Sequence, residues 1–575
     1  MNPPLFTPQK TRPWNPAHLT GWDAGCSRHG TCFRTRLRKQ GVLLRQLAPR
    51  FSHRHGTIAG KDFAVSSADF PSEANQLDAL IRKRLQGRIV NGWLMLVAVA
   101  GGAIVVADGL TRGPYPELEL LGQKPLEYQP NHAAFLLAVV TLPLMFAYAR
   151  KARVPLSEGL FLWFIVCTIA YTKDFSYLRL PGAPLFITDV VFVVLLFSIY
   201  ILPRPFYPRN PLVLDLFCTL FLIAGVVSAA RGLWGHGDPV LVLRDCALVA
   251  YSFFLLVGYQ LFRSWLSIKR LAVWFLLGTA LNVLNGVAWF FAAPEQRRFV
   301  LPGIYALVSL VFVLVTMANR LIRPKAGRVL AVFFSLGLLL ANTRSVFISL
   351  GSVLLLAFVV PGPLRVGNLS VSRLRALVPA TVLVCASVLL FSHLRAGSRF
   401  TTRVADELAS GVLHSSDDPY WQFRLAAWKE AWRRFEEYPT GGEGFGIPFV
   451  FDIYDNDARP HNTFLTVLYK MGLIGFLPLF ALLAYFFWYG LRAVHRNLAN
   501  RRIAFLQIVI LAQLSFCVYG GASFVLESPY LAWLFWAGMG VGFRMIRKFE
   551  FEQSLGGFPN RAWLEQRQVL GRSQL

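Results

Sequence analysis

The sequence predicts an all-α polytopic membrane protein, on three observations. Hydrophobic residues fill 55% of the 575 positions and charged residues only 15%, where a soluble domain carries about 25% charged. Apolar runs of roughly 18 residues or more recur from Ile89 towards the C-terminus, each long enough to cross a bilayer as a helix. Basic residues then alternate between the connecting loops in the way that orients membrane helices.

Fourteen spans follow from the hydropathy: 89–109, 132–149, 156–172, 184–202, 212–230, 240–262, 271–293, 301–318, 329–343, 346–361, 376–393, 463–489, 503–524 and 529–546. With both termini cytoplasmic, the six internal cytoplasmic loops carry nineteen Lys or Arg residues, from Arg150 to Arg502, and no carboxylate. The long outer loop 394–460 mixes eight basic with eleven acidic residues. The alternation holds at every crossing and places that loop outside the cytoplasmic membrane. The formal charge of +27 would suggest nucleic acid on a soluble chain. Here it reads as helix orientation, and no nucleic-acid partner is expected.

The chain divides into a basic cytoplasmic N-terminal tail (1–88), an N-terminal transmembrane half (89–328), a core (329–546) that includes loop 394–460, and a cytoplasmic C-terminal tail (547–575). The tail has no long apolar segment of the signal-peptide kind. Ser72–Gln86 has helical, amphipathic spacing and is expected to lie at the interface and feed the first span. Cys26, His29 and Cys32 lack a fourth ligand at zinc spacing. Cys167, Cys218, Cys246, Cys385 and Cys517 sit in apolar spans as small core residues.

Polar groups at the outer interface are the informative ones, because orientation does not call for them there. Arg297 and Arg298 follow the seventh span, Arg344 sits in the tight turn between spans nine and ten, and Arg244 with Asp245 lies in the outer part of the sixth. Guanidinium groups bind phosphate oxygens through paired hydrogen bonds, so several around one spot would hold a diphosphate. In the long loop, Asp417-Asp418-Pro419 predicts a helix start. Leu425, Trp428, Trp432 and Phe435 then predict an apolar face lying on the bundle. Arg424 is one turn from Trp428. The glycines of Thr440–Gly446 permit close backbone approach to a ligand, at Gly444 above all. His461 and Asn462 stand at the mouth of the twelfth span, and His461 is a candidate general base. Asp452, Asp455 and Asp457 read as solvated surface rather than a metal site.

Together these residues resemble the O-antigen ligase and polymerase superfamily of bacterial envelope glycan assembly. The resemblance rests on Arg424-x3-Trp428 leading to Pro439–Gly446, and on His461-Asn462-Thr-Phe-Leu running to Gly472-Leu-Ile-Gly475. The Asn-Thr-Arg344-Ser turn adds to it, and the similarity covers roughly Val329–Ala484. It implies a GT-C-like, inverting glycosyltransferase of the bacterial inner membrane that uses neither metal nor other cofactor. Its donor would be a glycan on undecaprenyl diphosphate, used at the periplasmic face. The acceptor would be lipid A-core for a ligase, or another lipid-linked repeat for a polymerase. By the same resemblance His461, Arg344 and Arg298 are the catalytic groups. Arg297 is the alternative to Arg298, and with Arg244, Arg424, Asn462 and Gly444 it forms the substrate-binding set. A flippase or transporter of lipid-linked sugars is the competing class. It would place its polar groups near the bilayer midplane and show internal repeats.

Overall fold

The computed structural model describes residues 73–112, 131–179, 186–200, 211–235, 237–293, 299–300, 302–359, 419–451, 459–498 and 500–556. Span 376–393, residues 394–418 and 452–458 of the outer loop, Arg297, Arg298 and residues 1–72 lie outside them. The chain separates into residues 1–78, of which only the first turns of a helix are described, and 79–575.

Among the described residues the secondary structure is helical, with one isolated bridge between Arg179 and Phe186. In chain order the helices are α1 (Glu73–Thr111), α2 (His132–Ala152), α3 (Leu156–Tyr171), the single turn α4 (Lys173–Ser176), α5 (Ile187–Tyr200), α6 (Leu212–Trp234), α7 (Pro239–Ala250) and α8 (Phe254–Leu261). They continue as α9 (Trp265–Ala292), α10 (Ile304–Ala318), α11 (Pro324–Ala341), α12 (Arg344–Val359), α13 (Pro419–Glu437), α14 (Thr463–Arg496), α15 (Ile503–Gly520) and α16 (Pro529–Gly556). The amphipathic stretch before the first span is continuous with it in α1.

Among the described residues eight helical stretches are long and apolar enough to cross a membrane, one of them running through α7 and α8, and four shorter apolar helices accompany them. Two of the short ones have a physical reason to be short. Nearly every residue of α3 and α10 is buried, so they pack against protein rather than matching the bilayer. The sixth expected span is interrupted by a 3-10 turn, Tyr251–Phe253, between α7 and α8.

The packing is that of a bundle in lipid. Leu212, Leu216, Leu220 and Ile223 of α6 point outward while Leu214, Phe217, Phe221 and Ala224 point in. Both faces are apolar, so hydrophobicity alone cannot hold the helices together. Close approach and polar contacts do so instead. Gly258 of α8 and Gly540 of α16 leave no room for a Cβ against the facing backbone at Ala537 and Leu255. Asn282 Nδ2 donates to Ala170 O at 3.0 Å, and Ser309 Oγ to Thr279 Oγ1 at 2.9 Å.

One end of the bundle gathers the loops that matter. Gly303 touches Ala341 and Val346, the residues flanking the Arg344 turn. Tyr305, two residues on, donates its hydroxyl to Tyr530 O at the start of α16. Tyr530 in turn lies under Lys173 Nζ, 6.0 Å from the ring centroid, and beside Tyr177.

Candidate functional site

Helix α13 forms where the Asp-Asp-Pro start predicts it, but its buried stripe is not the expected one. Leu425 and Trp432 are about half exposed (47% each), whereas Ala427, Ala431 and Arg434 are buried. The small alanines let the helix settle closely onto Phe449, Phe451 and Tyr469. Arg434 joins that face because its charge is met. It pairs with Glu430 (2.7 Å) and Glu443 (3.0 Å), donates to Pro448 O and Val450 O, and covers the ring of Phe449. The buried stripe is therefore rotated about one residue from the one read by hydropathy.

The glycine segment after α13 enters the bundle and completes a broken helix. In α14 the backbone leaves helical geometry at Gly472 (φ 60°, ψ −160°), a conformation that suits glycine. A break inside an apolar helix leaves carbonyls before it and N–H groups after it without partners. The preceding loop supplies them. Glu443 N donates to Tyr469 O (2.7 Å) and Gly444 N to Lys470 O (3.2 Å), while Leu473 N reaches Pro439 O (2.9 Å) and Ile474 N reaches Thr440 O (3.1 Å). The sequence reading expects a ligand at Gly444. The structure brings that residue (φ 111°) against the α6 backbone at Ser228 and Gly232, a close approach made within the protein.

Beside this knot, Asp245 of α7 is buried and accepts from Lys470 Nζ and from Gly446 N (3.0 Å). Arg244 lies next to the same carboxylate at 3.6 Å. Gly232 has no space for a Cβ against Phe445 O. Gly232→Ala should therefore expel the loop and lower stability by about 3 kcal/mol, read as a fall in the detergent-solubilised melting temperature.

His461 sits at the start of α14 with φ 50°, a left-handed conformation uncommon outside glycine. Two devices fix it. Trp428 Nε1 donates to Pro460 O at 2.7 Å, which gives the Arg424-x3-Trp428 spacing a structural purpose. Asn462 caps α14, its Oδ1 accepting from Phe464 N and Leu465 N at 3.1 Å each. The imidazole packs between Phe423 and Phe524, with ring centroids 6.1 and 4.9 Å away. Burial first, and then the charges of Arg424, Lys173 and Arg459, push its pKa down to about 3. Arg459 is itself held by Glu527 at 2.8 Å. Burial works against that guanidinium, but Glu527 and Asp245 keep its pKa above the usual value.

Strained backbone marks the same end of the bundle. Among the described residues five non-glycines have positive φ, and they include Thr172, Asn342 and His461. Thr172 precedes Lys173. Asn342 ends α11 in the left-handed region and sets the tight turn from which Arg344 opens α12. Such strain tends to collect where function fixes geometry.

With that geometry in view, residues 329–480 match the protein family described as O-antigen ligase. This domain belongs to the O-antigen ligase/polymerase superfamily. The chain as a whole matches no curated protein. The matched segment contains Arg344, Arg424, Gly444, His461 and Asn462, whereas Arg244 and Lys173 reach the same end of the bundle from the N-terminal half. Arg424 is brought within electrostatic reach of His461. Arg344 stands at that end on another pair of helices. Arg297 and Arg298 lie outside the described residues. Lys173, Arg459 and Lys470 are the groups that sequence reasoning missed. Lys173 had a readable signal, a cation in an outer loop that orientation does not require. Arg459 had one too, two residues before His461.

Proposed function

We propose that this multi-pass membrane protein is a glycosyltransferase of the O-antigen ligase type. It would take a glycan from undecaprenyl diphosphate and transfer it to an acceptor hydroxyl at the periplasmic face of the inner membrane. The observation that supports this best is a neutral histidine ringed by cations drawn from distant parts of the chain. Arg424 comes from α13, Lys173 from the turn after α3 and Arg459 from the approach to α14. An anionic substrate fits such a ring, because a diphosphate entering it would be held by charge and would raise the basicity of the imidazole.

In this reading His461 accepts the proton of the acceptor hydroxyl as that oxygen attacks the anomeric carbon. The diphosphate leaves with its charge held by Arg344 and Arg298, or by Arg297 in place of Arg298, with Arg244 and Arg424 nearby. Attack opposite the leaving group inverts the anomeric centre. Diphosphate leaves readily once its charge is met, so the paired carboxylates of a glycosidase are not required. Asn462 and Gly444 serve the site through the backbone they hold. The fourteen-span topology with both termini cytoplasmic puts all these groups on the periplasmic side, in agreement with the loop charges.

A polymerase would use the same chemistry on a different acceptor, and carrier-linked glycans separate the two. Deletion of the gene should leave long chains on the carrier if the protein is a ligase, and single repeat units if it is a polymerase. An Arg344→Ala allele should reproduce the deletion pattern while accumulating normally in the membrane. Wild-type glycan profiles in both strains would count against transfer at this site. A flippase would instead leave carrier-linked units in the cytoplasmic leaflet.

A further inference from the structure

A second site lies at the other end of α14 from His461. Between the last turns of α14 and α16 is a cavity of about 160 Å³, lined by Tyr489, Arg492, Arg496, Asn497, Glu550 and Gln553 among others. It adjoins a second cavity of about 280 Å³, with which it shares Tyr489 and Glu550. The second one is lined by Val213 and Leu214 of α6 and by Phe543, Ile546 and Arg547 of α16. Both compartments mix polar and apolar walls, the first with Arg492 and Arg496 and the second with Val213, Leu214, Phe543 and Ile546 beside Arg547 and Glu550.

The charges there are unevenly matched. Glu550 pairs with Arg547 at 3.1 Å, and Gln553 Nε2 donates to Asn497 Oδ1 at 3.2 Å. Among the described residues Arg492 and Arg496 have no ion pair, although each lines the cavity. Two guanidiniums one turn apart on a helix present their donors in the same direction. Outside the cavity, Leu212, Leu216 and Trp488 are exposed, with Trp488 68% accessible beside Tyr489. An indole at that level belongs at a head-group boundary.

We propose that this paired cavity binds an anionic phospholipid. Its phosphate lies between Arg492 and Arg496, its glycerol near Tyr489, and its acyl chains run along Phe543 and Ile546 and out over Leu212 and Leu216. A phosphate suits the two-nitrogen face of a guanidinium. The exposed apolar side chains of Leu212, Leu216 and Trp488 at the rim have no use for a free inorganic ion, which favours a lipid over soluble phosphate. Basic pockets between membrane helices bind anionic head groups in this way. Nothing in the glycan-transfer reading is needed for this site, and its failure would leave that reading untouched.

The test is lipid retention by the full-length protein. Wild type, Arg492→Gln/Arg496→Gln and the control Arg501→Gln are purified in mild detergent and supplied with equal phosphatidylglycerol and phosphatidylcholine. Bound lipid is then counted by native mass spectrometry. Wild type and the control should keep phosphatidylglycerol, and the double variant should lose it by roughly tenfold or more. Equal retention of both lipids by wild type, or equal phosphatidylglycerol on the double variant, would overturn the proposal. Displacement of the lipid by millimolar inorganic phosphate, with no preference for phosphatidylglycerol over phosphate, would reassign the site to a free anion and overturn it as well.

Discussion

His461→Ala should reduce glycan transfer by about 10²- to 10⁴-fold, the range that a positioned general base contributes, with insertion and stability kept. The measurement is transfer from a carrier-linked donor by purified protein in liposomes. Full activity in the variant would refute the assigned base. The pH dependence carries a second signature of the same group. With the free imidazole lowered to about 3, kcat/KM should show no acid limb near the usual histidine value of about 6.5. Arg424→Gln removes one of the charges that disfavour the imidazolium, so it should move the limb upward. Folding follows the same linkage. Below about pH 6.5 an unfolded histidine takes up a proton that the folded one refuses. This group's contribution to stability is therefore present above that pH and is lost as pH falls towards about 3.

Lys470→Ala should destabilise the protein by about 3–5 kcal/mol, since it leaves Asp245 buried beside Gly446 without its main counter-charge. A large drop in the solubilised melting temperature is the expected readout. Asp245→Leu/Lys470→Met removes both charges and should recover much of the loss, because an apolar pair of similar volume avoids the cost of desolvating two ions. A single variant as stable as wild type would show that Arg244, at 3.6 Å, suffices to hold the carboxylate.

The helices were readable because lipid imposes a simple rule: an unbroken apolar stretch must satisfy its own backbone. That rule gives α2, α3, α6 and α15 within a few residues of their observed ends. It gives no warning of the break at Gly472, since the partners that make the break tolerable come from residues 439–444. The rotation of α13 was hidden for a related reason. Arg434 looks like a surface residue until Glu430 and Glu443 are seen to meet it. Of the proposed site, His461 and Arg424 are legible as candidates, a polar group at a span mouth and a residue of the motif before it. Lys173 carries a weaker signal, a single cation in an outer loop, and the fold of its turn over Tyr530 is what ties it to the candidate site.

The filled break in α14 changes what an engineer can safely remove. Residues 439–446 resemble a dispensable surface linker, yet they act as a stopper in a membrane helix. Trimming them to shorten the extramembrane part would leave bare amides and carbonyls facing hydrocarbon. The damage would then reach the bilayer-embedded half of the molecule before it reached any sugar.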